Sequence, residues 1–160
     1  MAAAALSIAE QQAIPSTDSF RRREFLLDAD ELRLFAFLEQ AVPRPLRVFP
    51  NVSLRNIVTA VDDSSRRAPE QLRLRQRFVD FVICDERTRP LVVVQKLTAA
   101  PQPGYAAQQT DRILQAALTA AALPVLYADP AAEFEIEYWR AEISAAIAKP
   151  PEFKAEPTDT

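Results

Sequence analysis

Two short runs near the middle of the chain constrain its fold more than any other feature. Residues 77–84 (RFVDFVIC) and 91–97 (LVVVQKL) are dense in β-branched and aromatic side chains, and six residues, DERTRP, separate them. That spacing suits a hairpin. A strand with one wet face alternates apolar and polar residues; these runs are apolar at successive positions, as strands covered on both faces are. The pair therefore predicts a hairpin in the middle of a sheet with helices packed on both sides.

The flanking segments supply those helices. Residues 29–41 read as a helix, with Asp28 as N-cap, Glu31 at the capping-box spacing, and Leu34, Phe37, Leu38 and Ala41 on one stripe. Pro43 and Pro45 end it. Residues 46–49 form a short strand candidate, 51–60 are ambiguous between classes, and the Arg-rich stretch 62–76 reads as a loop with some helix. Residues 106–122 form a helix with Ile113, Leu114, Ala117, Leu118 and Ala121 on one face, and 123–127 (LPVLY) a strand directly after it. Residues 131–148 read as a last helix carrying Ile136, Trp139, Ile143 and Ile147, with Pro150 and Pro151 beyond it. A hairpin followed by a strand–helix–strand crossover gives a mixed sheet, so the expected class is α/β. The chain has 160 residues, enough for one domain with a core and too few for two. The expected organisation is a mobile tail over 1–19, one domain over 20–148 and a second tail over 149–160.

Composition narrows the chemistry. The chain has no His, one Cys (Cys84) and one Gly (Gly104). Without His there is no Ser-His-Asp or Cys-His nucleophile and no His-ligated zinc. One Cys forms no intramolecular disulfide and no Cys-cluster metal site, and in its apolar run Cys84 reads as a small buried hydrophobe. One Gly forms no glycine-rich phosphate loop. What remains is Mg²⁺ or Mn²⁺ held by carboxylates, or no cofactor at all. No run approaches the length of a membrane span. The apolar residues 2–9 have no preceding Lys or Arg and are interrupted by Glu10, a poor secretory signal, so the expected compartment is the cytoplasm and no membrane partner is expected. Net charge is −3, yet eight arginines between residues 44 and 77 face only three acids, Asp62, Asp63 and Glu70. A basic strip on an acidic protein suits phosphate contacts on one face or a solvated loop.

One residue in the hairpin needs an explanation. Asp80 sits mid-strand between Val79 and Phe81, where a carboxylate is costly unless it is paired, hydrogen-bonded or bound to metal. An edge strand or a backbone cap would also account for it.

The stretches DADELRLFAFLEQAVP, LRVFPNVSL, VDFVICD, RPLVVV and QAALTAAALPVLY, in this order over roughly residues 22–129, resemble a domain family of unassigned function in the PD-(D/E)XK, restriction-endonuclease-like superfamily. The last helix and both tails lie outside the resemblance. It implies a mixed central sheet flanked by helices. It also implies an active site in which an Asp on one strand, and a Glu two residues before an Asp or Lys on the next, hold a divalent cation that activates water. By resemblance Asp80 matches the first Asp and Glu31 a Glu on the first helix. The second strand departs: Gln95 stands at the Glu position and Leu97 at the Asp or Lys position, with Lys96 between them and directed by alternation to the other face. A bulge that brought Lys96 round would put Val94 at the Glu position. Either register lacks an essential carboxylate, and the following loop, TAAPQPG, is mostly small and apolar. Glu31 is also explained by the capping box alone, and Asp111 could reach the same cleft or be a solvated first-turn acid.

Three readings follow. The first is a non-catalytic, nuclease-like module binding nucleic acid through Arg66, Arg67, Arg73, Arg75 and Arg77, or binding a protein. The second is a Mg²⁺- or Mn²⁺-dependent nuclease with Asp80, Gln95, Lys96 and Glu31 as a variant site and Asp80 as metal ligand. The third is a regulatory protein of phage or plasmid descent that acts through its last helix, with Tyr138 and Trp139 as interface anchors unless Trp139 packs in the core. The sequence leaves the oligomeric state open.

Overall fold

The computed structural model describes residues 17–59, 67–97 and 107–149. The expected N-terminal tail lies outside them except for a 3₁₀ turn at Thr17–Ser19, and the expected C-terminal tail lies outside them from residue 150. The elements run α1 (Ala29–Ala41), β1 (Arg47–Ser53), α2 (Arg67–Arg75), β2 (Phe78–Cys84), β3 (Pro90–Lys96), α3 (Ala107–Ala120), β4 (Val125–Ala128) and α4 (Ile136–Ala148). The sheet order is β1-β2-β3-β4. β1 and β3 pair antiparallel with β2, and β4 pairs parallel with β3 after the α3 crossover. The protein is α/β, with a mixed four-stranded sheet flanked by helices.

The doubly apolar hairpin sits at the centre because each of its faces has a helical layer to pack against. On one face Phe81, Ile83, Val92 and Val94 join Leu34, Leu38 and Ala41 of α1 and Trp139 and Ile143 of α4. On the other, Val79, Val82, Cys84 and Val93 join Leu74 of α2 and Leu114 and Leu118 of α3. Cys84 is buried and free, as its apolar run implies.

Three boundaries move for local reasons. β1 continues through Pro50 to Ser53, beyond the predicted 46–49; Pro lacks a ladder donor, and an edge strand tolerates that. The Arg-rich stretch contains a nine-residue helix, α2. α4 begins at Ile136, five residues after the predicted start. The carbonyls of Pro130 and Ala132, which a longer helix would use, instead accept hydrogen bonds from the Arg33 guanidinium at 3.0 and 2.9 Å. The Asp129 carboxylate takes the Ala131 N–H at 2.9 Å. Arg33 also lies 5.2 Å from the Phe134 ring centre, so α1 holds this turn in a non-helical shape.

Trp139 belongs to the core. It meets Phe37 and Phe134 edge-on and is only 7% exposed, so it is no interface anchor; its neighbour Tyr138 is exposed.

Candidate functional site

The site is built where β2 and β3 begin to part. Regular pairing of the two strands runs from Phe81↔Val94 to a shifted Cys84↔Pro90. Below Phe81 the strand alternation slips. Val79 packs with the α2–α3 layer and Phe81 with the α1–α4 layer, although residues two apart share a face in a regular strand. Opposite this point on β1, Asn51 takes a left-handed conformation with φ 54°, which Asn tolerates better than most residues. Side chains then bond where the regular pairing of β2 with β3 has ended. The Asp80 N–H donates to Gln95 Oε1 at 2.7 Å, and the Lys96 N–H donates to Asp80 Oδ2 at 2.7 Å.

Lys96 lies on the α1 face. Val94, two residues earlier, is fully buried under α1 and α4, and alternation places Lys96 on the same side. Its ammonium reaches the start of α1, 3.2 Å from Asp28 Oδ2 and 3.8 Å from Glu31 Oε1. Those two acids are fixed by a reciprocal capping box: Glu31 N–H to Asp28 Oδ1 at 2.8 Å, and Asp28 N–H to Glu31 Oε2 at 2.9 Å. The result is one ammonium among three carboxylates, Asp28, Glu31 and Asp80.

The three shifted ionisations follow from that arrangement. Burial pushes the Asp80 carboxyl above the usual carboxylate range; the Lys96 N–H and charge pull it back only in part, while Glu31 and Asp28 push it further up. Burial acts to lower the Lys96 ammonium, but the hydrogen bond and charge of Asp28, with the charges of Glu31 and Asp80, outweigh it and raise its pKa. The Glu31 N–H holds the Asp28 carboxyl below its ordinary value against a smaller opposing effect of burial, and Lys96 assists.

All four predicted site residues, Asp80, Gln95, Lys96 and Glu31, come together here. Their relation differs from simple alternation. The register is the one with Lys96 on the α1 face and Val94 at the Glu position, and Gln95 spends its carbonyl oxygen on the Asp80 backbone. The slip that permits this lies in β2, whereas a bulge in β3 had been the expected route. Asp28 is the site residue that sequence reasoning missed. It reads as an N-cap, and nothing local announces a partner 68 residues away.

Among the described residues no three acidic, Cys or His side chains are grouped to hold a metal. Val94 contributes methyl groups at the position where the sequence resemblance led to the expectation of a carboxylate, and the Lys96 ammonium pairs with the acids on α1.

The predicted arginines divide. Arg73 and Arg75 are exposed on α2. Arg77 is half-buried and donates to the Arg73 carbonyl at 2.6 Å, closing the end of α2, so its guanidinium serves the fold. Arg66 and the side chains of Arg67 and Asp111 lie outside the described residues.

The chain matches, over residues 23–147, the model of a family described as "Protein of unknown function (DUF2726)". It belongs to that family. The match takes in α4, which the sequence resemblance had left outside, in keeping with the shared α1–α4 core. No curated protein and no solved structure matches the chain. Among the described residues no helix is long and apolar enough to cross a membrane.

Proposed function

We propose that this chain is a nuclease-like module without catalysis, and that what it binds is nucleic acid. The observation that carries the first half is Lys96: its ammonium sits 3.2 Å from Asp28 and 3.8 Å from Glu31, beside Asp80. In the superfamily pattern a divalent cation neutralises such carboxylates and lowers the pKa of a bound water. A lysine neutralises without activating water. The second half rests on charge. Arg73 and Arg75 stand exposed on α2, which leads directly into the strand that bears Asp80, and they belong to a segment where arginines outnumber acids.

Duplex DNA binding followed by fluorescence anisotropy across salt concentrations tests this. Phosphate contacts give a log–log slope of about −0.9 per contact. Arg73→Gln with Arg75→Gln is expected to make the slope shallower by about two units. An affinity independent of salt would point to a protein partner instead.

One observation favours a second reading, a working nuclease. Asp80 and Lys96 meet at one site on the α1 side, and the superfamily uses such a pair together. Metal-dependent cleavage that requires Asp80 would establish it.

A further inference from the structure

Four of the largest exposed apolar side chains fall within thirteen residues. Phe20, Phe25, Leu26 and Leu32 are 67%, 68%, 69% and 57% exposed. Isolated exposed apolar residues need no explanation, but a cluster of this kind marks a binding surface. Interleaved with them is Arg21-Arg22-Arg23, each residue exposed. Phe25, Leu27 and Leu32 line an open cavity of about 560 Å³ together with Arg23, Glu24 and Asp28. Of the charged residues lining it, Arg23 and Glu24 offset each other and Asp28 is engaged by Lys96; the exposed Arg21 and Arg22 adjoin Arg23 in the chain. The cavity has the size of a small-ligand site.

We infer that this cleft takes unpaired bases of a single-stranded nucleic acid, with Phe25 as the stacking platform and Arg21–Arg23 on the flanking phosphates. The inference rests on the nucleic-acid reading above and names a site formed by a different segment of the chain from the arginines of α2. Three features select this occupant. The exposed triplet Arg21–Arg23 complements a phosphate backbone. An aromatic face beside a cavity suits a free base, whose π-face is available only outside a duplex. Residues 20–28 contain no helix, so there is no amphipathic helix to lie in a lipid interface.

The test uses the full chain and labelled oligo(dT) and oligo(U) of about 15 nucleotides, a length that spans typical single-strand sites. Anisotropy is read for the wild type, Phe25→Leu, Phe25→Trp, and Arg73→Gln with Arg75→Gln, each checked for folding by circular dichroism. Phe25→Leu keeps an apolar side chain but loses the ring, and is expected to weaken binding roughly tenfold. Phe25→Trp is expected to retain it. The two oligonucleotides distinguish DNA from RNA as the source of the bases. Binding that Phe25→Leu leaves unchanged while the α2 double variant weakens it would overturn this site and leave the proposed function standing. A wild type that binds neither oligonucleotide nor duplex would overturn both. Phe25-dependent binding to anionic phosphatidylserine vesicles, without binding to either oligonucleotide, would make the cleft a lipid site and overturn the inference.

Discussion

Replacing Asp80 by Asn is expected to stabilise the protein at neutral pH. The side chain is half-buried, and its carboxylate accepts one backbone N–H, from Lys96, at 2.7 Å. Around it stand one positive charge and two negative ones, Lys96 against Asp28 and Glu31. Asn keeps the shape and the acceptor for the Lys96 N–H but removes the charge that burial penalises. Because burial outweighs the favourable contacts, the folded-state pKa of Asp80 lies above its unfolded value. A raised pKa fixes the sign: the folded state is favoured most below the unfolded carboxylate pKa, about 4, and loses that advantage as pH rises through the folded pKa. At pH 7 the wild type therefore bears the full penalty and the Asn variant none. The gain is expected as a rise in Tm at pH 7 that fades as pH falls toward about 4. Asp80→Ala removes the acceptor as well and is expected to fall below the Asn variant by about 1–3 kcal/mol. Thermal unfolding by circular dichroism from pH 7 to pH 4 is the assay. An Asn variant less stable than wild type at pH 7, or one whose advantage grows as pH falls, would refute the reasoning and show that attraction to Lys96 dominates.

Two further predictions follow from neighbouring residues. Asp28→Ala should act with the opposite pH sense: its carboxyl is held below the ordinary value, so its contribution is present above the unfolded pKa and lost as pH falls through the depressed one. The Tm difference from wild type should be full at pH 7 and shrink in strong acid. Trp139→Ala should destabilise by about 3–5 kcal/mol, as a core aromatic, whereas exposed Tyr138→Ala should change stability by less than about 0.5 kcal/mol in urea unfolding. A large loss at Tyr138 and a small one at Trp139 would return Trp139 to the surface.

The sheet was legible because its signal is local and strong. The runs RFVDFVIC and LVVVQKL announce two strands covered on both faces, and the crossover helix before LPVLY makes the β4 pairing parallel. The capping box at Asp28 and Glu31 was equally local. What escaped depends on contacts between distant residues. The late start of α4 follows from Arg33, about 100 residues earlier, which takes the carbonyls of Pro130 and Ala132. In the site, identity was readable and register was not. Asp80, Gln95, Lys96 and Glu31 could be named from their types and positions, but alternation along β2 directs Asp80, two residues before Val82, to the α2–α3 face and away from Lys96. The slip between Val79 and Phe81 brings Asp80 to Lys96, and its counterpart is a left-handed Asn51 on another strand, which no one-strand pattern encodes.

The central claim is that the ammonium of Lys96 stands in for a catalytic cation. The most direct test incubates the folded wild type and an Asp80→Ala control with single- and double-stranded DNA and RNA in Mg²⁺ or Mn²⁺. The account predicts no cleavage above the control on any substrate with either metal. Cleavage by the wild type that disappears in Asp80→Ala would contradict it and make Asp80, Gln95 and Lys96 a working site.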